Sequence, residues 1–215
     1  MRWRSALMEH MAGYFRERAV IYALVVALLA GGAAVGAVAV NSLEEEDYQE
    51  LSAFLDQYVR GAALPAERSL GARDVGILTS VAQSAGVPWL LGLTIIGAPL
   101  ALALVFLRGF AVGFTLRFLL DHLSLKGILF GLVSVAPHNL FTLFGVALAS
   151  GAALTFSVSA VNALVGRRRR ESLLSQFLAS TTLCGAAALS VAAGTWIQAH
   201  VTPILVQLIA RWLQF

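Results

Sequence analysis

Cysteine and charged residues are both scarce in this chain of 215 residues. Cys184 is the only cysteine, which excludes an internal disulfide and a cysteine-rich metal site. Charged residues make up only 13% of the sequence, whereas globular proteins carry about 25%. Hydrophobic residues make up 59%, and several apolar runs reach the length of ~20 residues that crosses a bilayer. This composition excludes a soluble globular protein.

Catalytic motifs are also missing. The sequence has no Gly-x-Ser-x-Gly elbow, no His-Glu-x-x-His motif and no phosphate-binding loop with lysine. The four histidines are scattered, and the only basic cluster, residues 167–170, lacks aromatic or polar side chains that would read nucleic acid. We therefore expect a protein that is not an enzyme, has no cofactor or metal, and binds no nucleic acid.

The apolar runs predict an all-α polytopic membrane helix bundle, a single membrane domain over residues 1–215 with about five spans. The expected spans cover residues 19–40, 87–107, 109–135, 140–165 and 173–197. The central helices are kinked or re-entrant, because Pro99 interrupts the second span and residues 136–139 break a run too long for one helix. In an alternative arrangement, residues 109–123 are re-entrant and two short spans follow them.

The distribution of charge predicts the topology. Arginines precede the first span and form the cluster 167–170, so the positive-inside rule places both in the cytosol. Residues 1–18 are expected to form a cytosolic interfacial helix, and residues 200–215 an interfacial tail. The segment 41–86, which begins with acidic residues, is then extracytosolic.

The extracytosolic segment has the pattern of an amphipathic helix on the outer membrane surface. Ser42 and Glu45 fit a capping box at its start. Apolar side chains then recur at helical spacing. The acidic run is interpreted mainly as a solvated helix start; a partner-facing surface is the alternative, and its residues are Glu44, Glu45, Tyr48, Leu51 and Leu55.

Small residues at four-residue spacing predict close contacts between helices. They serve either packing within one chain or a homodimer, and the spacing alone does not decide between these. The residues assigned to helix packing or self-association are Gly32, Gly36, Gly92, Gly97, Pro99, Gly109, Gly113, Gly127 and Gly131.

Arg117 and Asp121 form a separate intramembrane polar pair. Their four-residue spacing places them on one face of a helix. They are interpreted as a mutually neutralised pair near the interface, and a polar path or substrate cavity is the alternative.

Four pieces of the central sequence, in order and spacing, resemble the stage II sporulation protein M family. They are residues 92–99 (GLTIIGAP), 108–114 (RGFAVGF), 126–130 (KGILF) and 137–140 (PHNL), and the similarity extends over nearly the whole chain. The motif residues are Arg108, Phe110, Phe114, Pro137, His138 and Asn139. The chain departs from the family at His138, where glutamine is usual, and at Gln198 and His200, where a Glu-x-Tyr arrangement is frequent.

The resemblance implies a multi-pass protein of the bacterial cytoplasmic membrane that acts in engulfment during endospore formation. Members of the family are described as scaffolds that recruit peptidoglycan hydrolases, stage II sporulation proteins D and P, or their membrane anchors. Related proteins in non-sporulating bacteria are sometimes encoded near transporter ATPases. A membrane component of a transporter that works with a cytosolic ATPase is therefore the alternative function.

Overall fold

The computed structural model describes residues 18–62, 70–94, 97–165 and 173–213, and within these ranges the chain forms helices and no strand. A 3₁₀ turn, Val40–Ser42, follows α1, and a π-helical turn, Ala82–Gly86, separates α3 from α4. The α-helices are α1 (Ala19–Ala39), α2 (Glu45–Ala62), α3 (Leu70–Val81), α4 (Val87–Gly92), α5 (Gly97–Ser134), α6 (Ala136–Leu164), α7 (Leu173–His200) and α8 (Thr202–Leu213).

Five helical stretches are long and apolar enough to cross a membrane, which confirms the expected polytopic bundle. They are Ala19–Ser42, Val75–Gly92, Gly97–His122, Ala136–Leu164 and Leu174–Leu205. The expected interfacial helix over residues 1–18 lies almost wholly outside the described residues, and the arginine cluster 167–170 lies wholly outside them.

Helices α1 and α5 pack closely and run in the same direction. A Cβ at Gly32 would collide with the carbonyl of Phe106, and one at Gly36 with the carbonyl of Phe110. A step of four residues along α1 therefore matches a step of four residues in the same chain direction along α5. Small residues allow this approach of one backbone to another.

Helices α6 and α7 form an antiparallel pair. Gly194 of α7 lies against His138 near the start of α6, whereas Gly145, further along α6, lies against Ala187, which is earlier in α7. Of the five candidate spans, α6 is the most buried, because α1, α4, α5 and α7 all pack on it. We call the end of the bundle at Ala19 the proximal end and the end at His122 the distal end.

The second span begins earlier than the sequence predicts. We expected residues 41–86 to stay outside the membrane and a span over 87–107, but Val75–Gly92 is the candidate span and α5 begins at Gly97. This span is the least hydrophobic of the five, because Gln83 and other polar side chains lie within it. The same shift makes the expected boundary of the third span wrong, and Arg108 does not end a span.

A capped turn, and no proline kink, separates α4 from α5. Thr94 Oγ1 donates a hydrogen bond to the Leu91 carbonyl at 2.9 Å and accepts one from the Gly97 N–H at 3.0 Å. Pro99 therefore lies in the first turn of α5, where a helix does not need its missing N–H. The predicted kink at Pro99 inside a span is wrong.

The central helix α5 bends sharply near its distal end. A Cβ at Gly131 would lie 3.2 Å from Leu119 Cδ1, although twelve residues of straight helix span ~18 Å. The chain thus turns back on itself between these two residues. Helix α6 then starts after Val135, with Pro137 in its first turn. The break therefore lies at Val135, immediately before the expected residues 136–139, which are helical.

The helix of the outer segment starts differently from our prediction. Ser42 lies in the 3₁₀ turn and donates its hydroxyl hydrogen bond back to the Ala39 carbonyl at 3.0 Å. The Glu44 carbonyl accepts the first helical bond, from Tyr48 N–H. The capping box of Ser42 and Glu45 is therefore wrong, and α2 starts one turn beyond the end of α1.

Candidate functional site: an arginine between two cavities

Arg108 is a charged residue near the middle of an apolar candidate span. It lies close to the centre of the 26-residue candidate span Gly97–His122. Its half-buried side chain donates a hydrogen bond from Nη2 to Ser84 Oγ at 3.2 Å. Its Nε is buried and has no hydrogen-bond partner within the described ranges. Ionisable side chains at such depth face a bundle interior or a cavity and mark functional sites.

Ser84 reaches Arg108 from the π-helical turn Ala82–Gly86. In this turn the Val87 N–H bonds to the Ala82 carbonyl, five residues earlier. Pro88 follows and lacks the N–H that an α-helix would direct to the Ser84 carbonyl, so the wider turn lies where the α-helical pattern fails. Ser84 is only 5% exposed. Isolated π turns occur frequently at functional sites.

Two cavities meet at Arg108. The distal cavity has a volume of about 540 Å³ and extends from Arg108 toward the distal end. The central cavity, of about 380 Å³, lies on the side of the π turn and is lined by Ser84, Pro88 and Val146. Among the described residues, Arg108 and Ala111 line both. The arginine side chain therefore stands at the boundary between the two spaces.

Helix α2 forms one wall of the distal cavity. Leu51, Phe54 and Leu55 contribute its apolar face, while Thr115 and Phe118 contribute the facing wall from α5. Three further polar side chains reach the cavity from α6 and α7: His138, Asn139 and Gln198. The cavity thus combines an apolar wall with hydrogen-bonding groups from three helices.

An aromatic ladder attaches α2 to α5. Phe110, Phe114, Phe118 and His122 stack successively along one face of α5, with ring centroids 6.0 to 6.3 Å apart. Tyr48 of α2 packs on Phe118 with a centroid distance of 5.3 Å. Asp56 Oδ1 lies 3.1 Å from His122 Nε2. These contacts hold α2 across the distal cavity.

The family to which the chain belongs is shown by a comparison of its sequence with family models. The model for stage II sporulation protein M matches residues 25–203, which include all five candidate spans except the first residues of α1 and the last residues of the fifth. The chain belongs to the stage II sporulation protein M family. No curated protein and no solved structure matches it. Membership of this family makes it a sporulation-related, multi-pass membrane protein.

Four of the six motif residues assigned to the stage II sporulation protein M family line the distal cavity. These four are Arg108, Phe114, His138 and Asn139. Phe110 belongs to the aromatic ladder one turn earlier, and Pro137 starts α6. Arg108 and Asn139 are 31 residues apart in sequence, and the fold brings both to the distal cavity.

The two clearest glycine pairs serve packing inside the chain. Gly32 and Gly36 contact α5, and in return Gly109 and Gly113 lie against the backbone of Leu29 and Ala33 in α1. These faces are therefore covered within one protomer. Gly92 packs on Ala153 of α6, Gly97 lies at the capped turn, and Gly131 lies at the bend of α5. The surroundings of Gly127 lie outside the described residues.

Arg117 and Asp121 form an ion pair, with Nη2 and Oδ1 3.1 Å apart. Their side chains are 38% and 30% exposed, and neither lines the distal or the central cavity. Near the distal end of α5, the two charges therefore neutralise each other. Neither cavity therefore supplies this pair with the polar path or substrate cavity that the sequence left open as an alternative.

The outer segment proposed to face a partner divides into two faces. Glu44 and Glu45 are exposed. Tyr48 packs on Phe118, and Leu51 and Leu55 line the distal cavity, so these three side chains point toward the bundle. Only the acidic part of the set is presented outward.

Several residues of this site were not singled out by their sequence pattern. Ser84 and Thr115 are ordinary small polar residues, and only the fold shows what they contact. The ladder had a readable signal, because aromatic rings recur every fourth residue from Phe110 to His122. In the described part of the chain, no group of three or more histidine, cysteine or acidic residues is arranged to hold a metal ion.

Proposed function

We propose that the protein is a non-enzymatic membrane scaffold that recruits and positions extracytosolic peptidoglycan hydrolases during engulfment in endospore formation. The partners in this proposal are stage II sporulation proteins D and P, or their membrane anchors. The observation that carries it is the family match over residues 25–203.

The acidic start of α2 is the surface that we assign to these partners. Glu44, Glu45, Glu46 and Asp47 are all exposed, and Glu50 follows one turn later. The opposite, apolar face of α2 is engaged with α5 and the distal cavity. A charged surface of this kind steers and orients a partner more than it adds affinity.

The same proposal places the N-terminus and the arginine cluster 167–170 in the cytosol and α2 outside, in the cytoplasmic membrane of a bacterium. Five spans alternate in direction, so the proximal end would face the cytosol and the distal end the opposite side. Self-association as a homodimer belongs to this proposal too, through surfaces other than the covered Gly32/Gly36 and Gly109/Gly113 faces.

Co-purification tests the scaffold. The tagged full-length protein is isolated in mild detergent from sporulating cells, and candidate hydrolases and their anchors are identified in the eluate. The triple variant Glu44→Gln, Glu45→Gln, Glu46→Gln is compared with Gln57→Ala, an exposed change on the same helix. We expect the wild type and Gln57→Ala to retain a hydrolase or its anchor and the triple variant to lose most of it. Absence of every such candidate from the wild-type eluate would overturn the scaffold.

A transport component that works with a cytosolic ATPase is the second candidate. The observation that favours it is Arg108 at the boundary between two cavities near the middle of a span. Discontinuous helices and polar groups at this depth build substrate sites in transporters. The variant Arg108→Gln separates the two functions. If the protein is a transport component, this variant should abolish substrate-stimulated ATP hydrolysis by a reconstituted complex. If the protein is only a scaffold, the variant should leave hydrolase co-purification unchanged.

A further inference from the structure

No acidic side chain within the described ranges balances the charge of Arg108. Its guanidinium donates a hydrogen bond to the neutral hydroxyl of Ser84. Its Nε is buried without a partner. Because an unpaired charge is costly to bury, an anion that reaches this guanidinium would be strongly favoured.

The distal cavity supplies donors for such an anion. Arg108, Asn139 and Gln198 carry N–H groups, and they come from α5, α6 and α7. Asn139 gives one of its two amide N–H groups to the Val135 carbonyl. No aspartate or glutamate is among the described residues that line the cavity. A phosphate or a carboxylate therefore meets positive charge and hydrogen-bond donors on this wall.

The remaining wall of the cavity is apolar. The side chains of α2 and the aromatic ladder form most of it, with Val112, Leu119 and Val135 between them. This wall extends along α5 from Arg108 to Leu119, eleven residues or ~16 Å of helix. A ligand that matches both the donors and the wall has an anionic head and an apolar body.

The size of the cavity fits a small amphiphile. Its volume of about 540 Å³ lies within the range of ~300–1,000 Å³ that is usual for small-molecule sites. A small ligand with an anionic head and an apolar body therefore matches the space as well as its lining.

We infer that the distal cavity binds an anionic amphiphile. Its phosphate or carboxylate head pairs with Arg108, and its apolar body lies between α2 and the aromatic ladder. The site has the chemistry of an anionic membrane lipid or of a single-chain phosphate. This inference stands without the scaffold function, since it concerns a ligand inside the bundle and not a partner on the acidic surface.

Three probes that share a head or a body test the class of ligand. The full-length protein in a nonionic detergent is titrated with dodecyl phosphate, 1-dodecanol and inorganic phosphate, and binding is followed by the shift of the thermal unfolding midpoint. Dodecyl phosphate should raise the unfolding midpoint in a saturable way. Its affinity should be about tenfold or more above that of dodecanol or inorganic phosphate, which corresponds to at least one charge-assisted contact. Equal effects of dodecyl phosphate and dodecanol would overturn the role of Arg108, and equal effects of inorganic phosphate would overturn the role of the apolar wall.

Variants then place the ligand. Arg108→Gln should weaken the binding of dodecyl phosphate about tenfold or more, and Arg108→Lys should retain most of the binding. The control is Arg117→Gln, which removes one positive charge from α5 outside the cavity and should bind like the wild type. If Arg108→Gln does not fold, Ala111→Phe decides, because it fills the cavity and keeps the arginine. Wild-type binding by Ala111→Phe, or by a folded Arg108→Gln, would overturn the site.

Nanodiscs distinguish the sources of the ligand. The discs contain equal amounts of phosphatidylglycerol and phosphatidylcholine, and the released protein is measured by native mass spectrometry. If a bilayer lipid occupies the cavity, the protein should retain phosphatidylglycerol. The amount of retained lipid should fall in Arg108→Gln but not in Arg117→Gln. Binding of dodecyl phosphate without retained phosphatidylglycerol would assign the cavity to a single-chain amphiphile. Failure of both would overturn the inference while leaving hydrolase co-purification unaffected.

Discussion

Arg108 Nη2 donates a hydrogen bond to Ser84 Oγ, 3.2 Å away, between two helices that are adjacent in sequence order but antiparallel in space. The bond depends on the π turn, which places Ser84 against α5. On its other side the same turn packs on α7, where Cys184 Sγ donates a hydrogen bond of 3.7 Å to the Ala85 carbonyl. The turn therefore couples the position of the arginine to two neighbouring spans.

Replacement of Ser84 should destabilise the bundle. Ser84→Ala removes the acceptor for a half-buried, charged donor, and bonds to charged groups contribute ~1.5–3 kcal/mol to the free energy of unfolding. We expect a loss of about that size, measured by reversible unfolding in mixed micelles. The matched control is Thr79→Ala, because Thr79 is exposed and donates its hydroxyl to the Val75 carbonyl of its own helix. Equal free energies for the two variants would contradict a structural role for the Arg108–Ser84 bond.

The parallel packing of α1 on α5 should not tolerate even one additional methyl group where the two backbones meet. Gly36→Ala directs a Cβ into the Phe110 carbonyl, and backbone cannot move aside as a flexible side chain can. We expect the free energy of unfolding to fall by ~1–3 kcal/mol, the usual cost of overpacking. Gly31→Ala, one residue from Gly32 in the same helix, has nothing within 4 Å of the new Cβ and serves as the control.

Light scattering of the folded protein distinguishes this packing from a dimer face. The oligomeric mass of folded Gly36→Ala should match that of the wild type, because its contacts lie inside one protomer. A variant that remains as stable as the wild type but changes mass would show that Gly36 contacts a second copy instead.

The fold class could be predicted from the sequence because burial in lipid demands long apolar helices, and these are visible in composition. The break before α6 was also readable, since Pro137 cannot donate the helical hydrogen bond. The turn before α5 was not, because Thr94 makes it by side-chain capping in a run that is otherwise continuously apolar. The second span was not predicted because the π turn inside it contains polar residues. Ser84 can be buried there because it accepts a hydrogen bond from Arg108, 24 residues later in the sequence.

Only part of the candidate site could be predicted from the sequence. The motif residues could be named, because their resemblance to a family is a property of the sequence. Their convergence on one cavity depends on the bend of α5 and on the antiparallel return of α6, neither of which follows from periodicity. Glycine spacing likewise predicted close contact but did not identify the partner helix, since Gly36 and Gly113 would fit a neighbouring protomer equally well.

Helix α2 should loosen when its aromatic contact is removed. Tyr48→Ala deletes the packing on Phe118 and His122, which contributes ~0.5–1.5 kcal/mol for one aromatic pair. We expect faster amide hydrogen exchange across α2 and unchanged exchange in the α6–α7 pair, measured by mass spectrometry in detergent. Gln57→Ala, exposed on the same helix, should exchange like the wild type. Unchanged exchange in Tyr48→Ala would show that the ladder does not hold α2 in place.

The proposed orientation predicts opposite labelling at the two ends of the bundle. The native thiol is first removed with Cys184→Ser, which keeps a donor for the Ala85 carbonyl. Single cysteines are then introduced as Glu45→Cys at the distal end and Val165→Cys at the proximal end, both at exposed positions. In spheroplasts, a membrane-impermeant maleimide should label Glu45→Cys at once and Val165→Cys only after lysis. The reverse pattern would place the acidic surface of α2 in the cytosol, where no extracytosolic hydrolase could reach it, and would remove the scaffold as proposed.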